Sequence, residues 1–210
     1  MDSLNAWWDR LPGERFWLDV TDRDDRDKLL AVPRGVGRSS ASWVHRLITH
    51  VRGGDLVFHY DASQEAIAAC SIAQGRVEKR DLAWPVATRN GDAGMGTQLL
   101  PSWSIGLRHS TRLVSPLPLA AIAHTQWNLF PVLRALEDAA GDPLYYPFEM
   151  GDREATRPLL GYVFKLPAVF VQSFPELVSA VARSAQPAAA YERSRPVLVT
   201  ARPPSFASQR

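Results

Sequence analysis

Only one cysteine, Cys70, occurs in the 210 residues. No disulfide can form within the chain, and no zinc site can be built on cysteines. Cys70 lies in the apolar run AIAACSI, where a free thiol packs as a small core hydrophobe. No apolar run approaches the ~18–20 residues of a membrane-spanning helix. The opening MDSLNAWWDRLPGER has neither the basic head nor the apolar stretch of a secretory signal. These absences point to a cytoplasmic protein with no membrane partner.

Catalytic signatures are missing too. No G-x-S-x-G elbow marks a serine hydrolase, and no G-x-x-x-x-G-K-[ST] loop cradles a nucleotide. The histidines His45, His50, His59, His109 and His124 are scattered, without H-E-x-x-H or zinc spacing. The adjacent acids Asp24 and Asp25, and Glu137 and Asp138, read as solvated surface. There is no convincing cluster of metal-binding carboxylates. Together these absences favour a binding module over an enzyme, with no cofactor and no metal.

What is present is tryptophan and a local excess of positive charge. The net charge is only +2, but every charge from Lys28 to Gly54 is positive: Lys28, Arg34, Arg38, Arg46 and Arg52. His45 and His50 lie among them. A second acid-free stretch, Met95 to Leu136, carries Arg108, Arg112 and Arg134, while the acids gather at Asp19, Asp22, Asp24, Asp25 and Asp27. An acid-free basic stripe beside pocket-forming aromatics suits a nucleic-acid reader. Of the seven tryptophans, Trp17 on a strand and Trp127 at a helix start are expected in the core. Trp43, Trp84 and Trp103 sit beside loops, in SASWVHR, LAWPVA and LPSWSIG. There a flat ring can stack on a base, worth roughly 1–3 kcal/mol.

The elements follow from pattern. Ser3 to Asp9 predicts a short helix, and RFWLDVT, residues 15 to 21, a half-buried alternating strand. Asp24 to Leu30 suggests a helical turn, and Val32 to Gly37 a loop. A helix is expected from Trp43 to His50, then a Gly-Gly-Asp turn and a strand from Leu56 to Tyr60. Ala66 to Gln74, Arg76 to Leu82, Ser102 to Leu107, Leu144 to Phe148 and Gly161 to Leu166 read as further strands. Asn90 to Thr97 reads as a loop. Trp127 to Ala140 reads as a helix presenting Leu129, Val132, Leu133 and Leu136, stopped by Gly141. Pro175 to Arg183 reads as a short helix. Residues 184–210 are Pro-, Ala- and Arg-rich and read as a linker or tail, with Pro196 to Thr200 a possible edge strand. Such a tail suggests a further domain beyond it. Many short strands with helices between them, and no repeating βα unit, predict an α+β fold with a mostly antiparallel barrel.

The order FWLDVT, GVGRSSASW, RGGDLVFHY and then a small-residue strand resembles the EVE domain of the PUA-like superfamily, whose relatives include YTH domains. PSWSIGL, SPLPL and LLGYVFKLP resemble elements of the amino-terminal EVE-like modules of Mcr-type, modification-dependent (type IV) restriction endonucleases. The resemblance spans roughly residues 14 to 178, so 1–183 is assigned to the EVE-like domain. The chain departs from the EVE pattern in its long Trp84–Trp103 insertion, and in Val32-Pro33 where that pattern has a tryptophan.

The resemblance implies a PUA/EVE-like β-pseudobarrel ringed by short helices, with one aromatic pocket for a modified base. Carried over by position, the pocket comprises Thr21, Asp22, Ser39, Ser40, Trp43, Tyr60, Trp84 and Trp103. Arg34, Arg38, Arg46, Arg52 and Arg108 are the expected contacts to the DNA backbone. Asp22 can accept from an exocyclic amino group such as that of cytosine, or can equally be a turn or cap acid. The implied partner is double-stranded DNA carrying 5-methylcytosine or 5-hydroxymethylcytosine, its base extruded at a cost of a few kcal/mol. A nuclease domain in the same full-length chain is implied as well. A YTH-like reader of modified RNA and a small-molecule-binding PUA-like domain remain open alternatives.

Overall fold

The computed structural model describes residues 4–21, 23, 25–34, 42–86, 96–141, 144–148, 158–159 and 161–193. Six strands are formed: β1 Phe16–Asp19, β2 Leu29–Pro33, β3 Leu56–Asp61, β4 Ala66–Val86, β5 Gly96–Pro118 and β6 Val163–Leu166. The α-helices are α1 Leu119–Ala140, α2 Ala168–Gln172 and α3 Pro175–Arg193. Single 3-10 turns cover Trp7–Arg10, Ser42–His45 and Leu47–His50. The strands form one sheet in the order β2-β5-β4-β3-β1-β6. Among the described residues β1 and β3 pair parallel and the other strand pairings are antiparallel. The fold is mixed α+β, and its curled sheet makes a half-barrel.

The curl comes from the two longest strands. β4 has 21 residues and β5 has 23, too long to stay flat in a twisted sheet. Their register shifts between Ile67 and Ala69, Cys70 and Ile72, and Gln74 and Glu78. Each shift bends the strand and adds twist. At the last one Gly75 has a φ of +80°, and the turn before β3 nests against it. A Cβ on Gly53 would lie 2.8 Å from the Gly75 carbonyl oxygen. β4 therefore pairs with β3 through its first half, while β5 pairs with β2 through residues 102–106.

Both sheet faces are covered. Leu18, Phe58, Ile67 and Phe164 pack under the helices with Ile122, Leu133, Phe170 and Leu177. On the opposite face Trp17, Val57, Leu30 and Ile105 pack with Trp8 and with Leu47 and Ile48 from the 3-10 segment. This is why β1 does not alternate between core and solvent as its sequence suggests. Trp17 and Asp19 are each 1% exposed, and Leu18 is fully buried. Trp17 and Cys70 are core residues, as expected.

Several other expectations are corrected. The segments Ala66–Gln74 and Arg76–Leu82 are one bulged strand, and Val32-Pro33 ends β2 rather than lying in a loop. Trp43–His50 is two 3-10 turns, not a helix. Short, β-branched and without a side-chain cap at its second turn, it has little to offset the cost of helix nucleation. α1 begins at Leu119, where the run Leu117-Pro118-Leu119 leads into a helix, eight residues before Trp127, and seats Ile122, Gln126, Leu129 and Leu133 on the core. That register turns Trp127, 64% exposed, and Val132, 47% exposed, toward solvent. Trp127 is therefore not the core residue that its sequence position suggests, and Val132 lies off the buried face.

The Ser3–Asp9 helix is a 3-10 turn over Trp7–Arg10, and Asp25 to Lys28 is a turn leading straight into β2. Leu144–Phe148, which contains Pro147, makes only an isolated bridge from Phe148 to Pro158. Gly96 and Thr97 belong to β5 rather than a loop, and α3 continues to Arg193. Pro196–Thr200 lies outside the described residues. Among the described residues no helix is long and apolar enough to cross a membrane.

Candidate functional site

The two edge strands, β2 and β6, face a seam that is closed by side chains. The 3-10 turn Ser42–His45 fills it. His45 Nδ1 donates to the Pro33 carbonyl at 2.8 Å, at the end of β2. That bond fixes the proton on Nδ1. The His45 ring lies 5.2 Å from Tyr162, just before β6. Close approach here depends on Gly161. A Cβ at that position would sit 2.5 Å from Phe164 Cζ and 3.0 Å from Val44 Cγ1.

The β4–β5 hairpin curls back to the same place. Trp84 meets Tyr162 edge-on, with centroids 5.6 Å apart. Its Nε1 donates to Ser102 Oγ at 2.9 Å, and Ser102 donates in turn to the Leu100 carbonyl. The Arg23 guanidinium stacks 4.5 Å above the Trp84 ring. Arg23 also donates to the Ala83 carbonyl at 3.0 Å and grips both oxygens of Asp25 at 2.9 and 3.0 Å. The Val20 amide donates to the Tyr162 carbonyl at 3.0 Å. Trp43 packs on Tyr145 at 5.2 Å and on Phe164 at 6.2 Å. Partial burial pushes the Tyr162 hydroxyl above its ordinary pKa, so it stays a neutral donor.

The seam thus brings His45 and Trp84 together on Tyr162, while Trp43, two residues before His45, packs on Tyr145 and Phe164 instead. Thr21 follows Val20, whose amide bonds the Tyr162 carbonyl. Thr21 is committed: its amide and hydroxyl both donate to Asp19 Oδ1, at 2.9 and 2.6 Å. Trp103 lies on β5 between the exposed cations Arg34 and Lys79, 4.9 and 5.1 Å from its ring. Tyr60 is buried in the helix-side cluster with Leu18 and Phe58, and burial raises its hydroxyl pKa. Asp22, Arg38, Ser39 and Ser40 lie outside the described residues.

Of the expected backbone contacts, Arg34 borders the seam and Arg46 stands between the two 3-10 turns. Arg52 is paired with Asp9 at 2.9 Å, at the opposite end of β1 from Thr21. Arg108 is exposed on β5 across from Ile72. Sequence reasoning missed His45, Tyr145, Tyr162, Arg23 and Lys79 as site residues. Gly161-Tyr162, a glycine and an aromatic at the entry to a strand, was the available signal. Arg23 was masked by the acids around it.

Two other features bear on function. A cleft of about 220 Å³ is lined by Trp8, Asp9, Arg15, His50, Arg52 and Asp55, among others. Its charges are mutually satisfied: Arg15 pairs with Asp55 at 3.1 Å, and Asp55 also accepts from Trp17 Nε1 and the Arg52 amide. Burial lowers the His50 pKa, with Asp9 opposing and Arg46 and Arg52 reinforcing. Elsewhere Ser71 Oγ, His59 and Asp19 form a chain of 2.8 and 3.0 Å, the connectivity of a hydrolase triad. Ser71 is fully buried and His59 is 4% exposed. No substrate reaches that serine in this conformation. Among the described residues no His, Cys, Asp and Glu group could hold a metal.

No protein-family description matches the sequence, and no curated protein does. Among solved structures, a crystal structure of a Pseudomonas putida protein from a structural genomics consortium is similar at 15% identity and a TM-score of 0.37. The match covers 80% of this chain and 98% of that one. An NMR structure of a Rhodopseudomonas palustris protein, from the same consortium, is similar at 14% identity and a TM-score of 0.39, covering 78% of this chain and 92% of that one.

Proposed function

We propose that this chain is a PUA/EVE-like DNA-binding module that recognises a modified cytosine, 5-methylcytosine or 5-hydroxymethylcytosine. It takes the extruded base into the seam and supplies specificity to a modification-dependent restriction endonuclease. The observation that carries this reading is the convergence of His45 and Trp84 on Tyr162, with Trp43 two residues before His45, where among the described residues side chains join the sheet edges. Ring contacts of this kind can be exchanged for a base without breaking a strand ladder.

Energetics support the exchange. Extrusion costs a few kcal/mol, and stacking of the base returns roughly 1–3 kcal/mol. A base entering beside Tyr162 displaces Arg23 from the Trp84 face, trading one π contact for another. The displaced guanidinium keeps its carboxylate partner, Asp25, and so borders the entry without adding a free charge. His45 Nε2, an acceptor once Nδ1 holds the proton, can receive the cytosine amino group.

The test is binding to matched duplexes carrying cytosine, 5-methylcytosine or 5-hydroxymethylcytosine at physiological salt. A preference of about tenfold, about 1.4 kcal/mol, is expected for a modified duplex. Tyr162→Ala should reduce that preference more than it reduces affinity for the unmodified duplex. Equal binding to all three refutes the proposal. A preference for modified single-stranded RNA, or for a free nucleoside without salt dependence, moves the site to a different ligand class.

A further inference from the structure

We infer that Trp103 is not a wall of the base pocket but a spacer holding Arg34 and Lys79 as a two-cation clamp for a DNA phosphate. Trp103 lies on the middle of three neighbouring strands, opposite Val32 on β2 and Lys79 on β4. Arg34 is two residues past Val32, so it emerges on the same face, and its amide is fixed to the Pro101 carbonyl at 2.7 Å. The two cations thus reach the indole from the strands on either side of it. With ring distances of 4.9 and 5.1 Å, their charges lie no more than about 10 Å apart.

Arg15, Arg23, Arg26, Arg52, Arg80 and Arg134 are each paired with a carboxylate. Among the described residues neither Arg34 nor Lys79 has such a partner. Both are exposed, while the indole beneath them is half-buried against the 3-10 face. Two like charges flanking one ring repel each other, and an anion bound across its exposed edge, within reach of both, relieves that repulsion. A cation–π contact fixes side chains that would otherwise lose rotamer freedom on binding.

The clamp neighbours the seam in sequence on two strands, with Ser102 and Trp103, as successive strand residues, turned to opposite faces of the sheet. Pro33, which holds His45, precedes Arg34, and Ser102, which holds Trp84, precedes Trp103. The clamp therefore takes a backbone phosphate on the Trp103 face of the sheet, not one beside Trp84. The identity of the ligand rests on the base-reading proposal, but the charge geometry does not.

The test is the salt dependence of duplex binding by the full chain, with modified and unmodified DNA, for Arg34→Ala, Lys79→Ala, the double variant and Trp103→Leu. Each single cation removed should lower the slope of log affinity against log salt by about 1. For the double variant, the affinity lost between about 50 and 200 mM salt should become about twelvefold smaller. Losses should be equal on both duplexes. Trp103→Leu, which keeps both charges, should weaken binding about two- to fivefold, with Trp103→Phe restoring it.

Unchanged slopes in the folded Arg34 and Lys79 variants overturn the clamp, even if the preference for modified DNA persists. Lowered slopes without any modification preference leave the clamp standing and refute the base reading. A slope change seen only on RNA duplex overturns the DNA assignment.

Discussion

Replacing Lys165 by Met should remove most of the alkaline pH dependence of folding stability. Lys165 is fully buried. Its ammonium donates to the Leu166 carbonyl at 2.8 Å, the Phe16 carbonyl at 3.0 Å and Glu14 Oε2 at 3.2 Å. It also lies 5.5 Å from the rings of both Trp7 and Trp17. Burial lowers its pKa from 10.5 to about 8, with Glu14 only partly opposing the shift. At ~1.4 kcal/mol per pKa unit, holding the proton in the folded state costs about 3 kcal/mol. Below about pH 8 both states are protonated and that cost is present in full. Between about 8 and 10.5 the unfolded chain keeps the proton while the folded chain sheds it, so stability rises with pH. Urea unfolding from pH 8 to 10 should show the stability difference between wild type and Lys165→Met shifting by about 2 kcal/mol in favour of wild type. The buried Tyr146 hydroxyl, whose pKa burial also raises, pulls the other way near pH 10 but cancels in the comparison. Glu14 keeps the Ala168 amide, at 2.9 and 3.0 Å, so the variant retains the contact that starts α2. Parallel curves for the two proteins would refute the assigned desolvation.

Gly161→Ala should cost about 1–3 kcal/mol through overpacking, because its Cβ meets Phe164 and Val44 at 2.5 and 3.0 Å. Chemical denaturation measures this, and undiminished stability would mean the approach of the 3-10 turn is looser than described. Trp127→Ser should change stability by no more than about 0.5 kcal/mol, since the ring is 64% exposed. A loss of several kcal/mol in the same assay would return Trp127 to the core.

Local signals in the sequence located most strands but not their extent or their sides. RFWLDVT and LVFHY announced β1 and β3 because aromatic and β-branched residues fit a pleated surface. The length of β4 and β5 was not legible, since register shifts interrupt the alternation that marks a strand. The side taken by Trp127 depended on where α1 begins, and the Pro-Leu-Pro run before Leu119 gave no cap residue to place it. At the site, Trp43 and Trp84 were legible as aromatics beside loops. Tyr60 was not separable from core, because a ring at a strand end reads the same whether it faces helices or a seam. Tyr162 and His45 become site residues only through contacts more than a hundred residues apart in sequence, between the 3-10 turn and the entry to β6.

Where the sheet stops pairing, its backbone still needs partners. At the seam these come from outside the ladder: His45 for the Pro33 carbonyl, the Tyr145 carbonyl for the Lys165 amide, and Arg23 for the Ala83 carbonyl. Ladder bonds form cooperatively and cannot be exchanged singly, whereas side-chain contacts can be replaced one at a time. Just behind the seam the Asp19 carboxylate holds Thr21 and His59, and His59 holds Ser71. That buried chain ties β1, β3 and β4 together at the edge of the exchangeable region. A rigid wall beside replaceable aromatic contacts is what admitting a flat ligand requires without deforming the sheet. The same burial that makes the Ser71 chain a wall closes Ser71 off from solvent in this conformation.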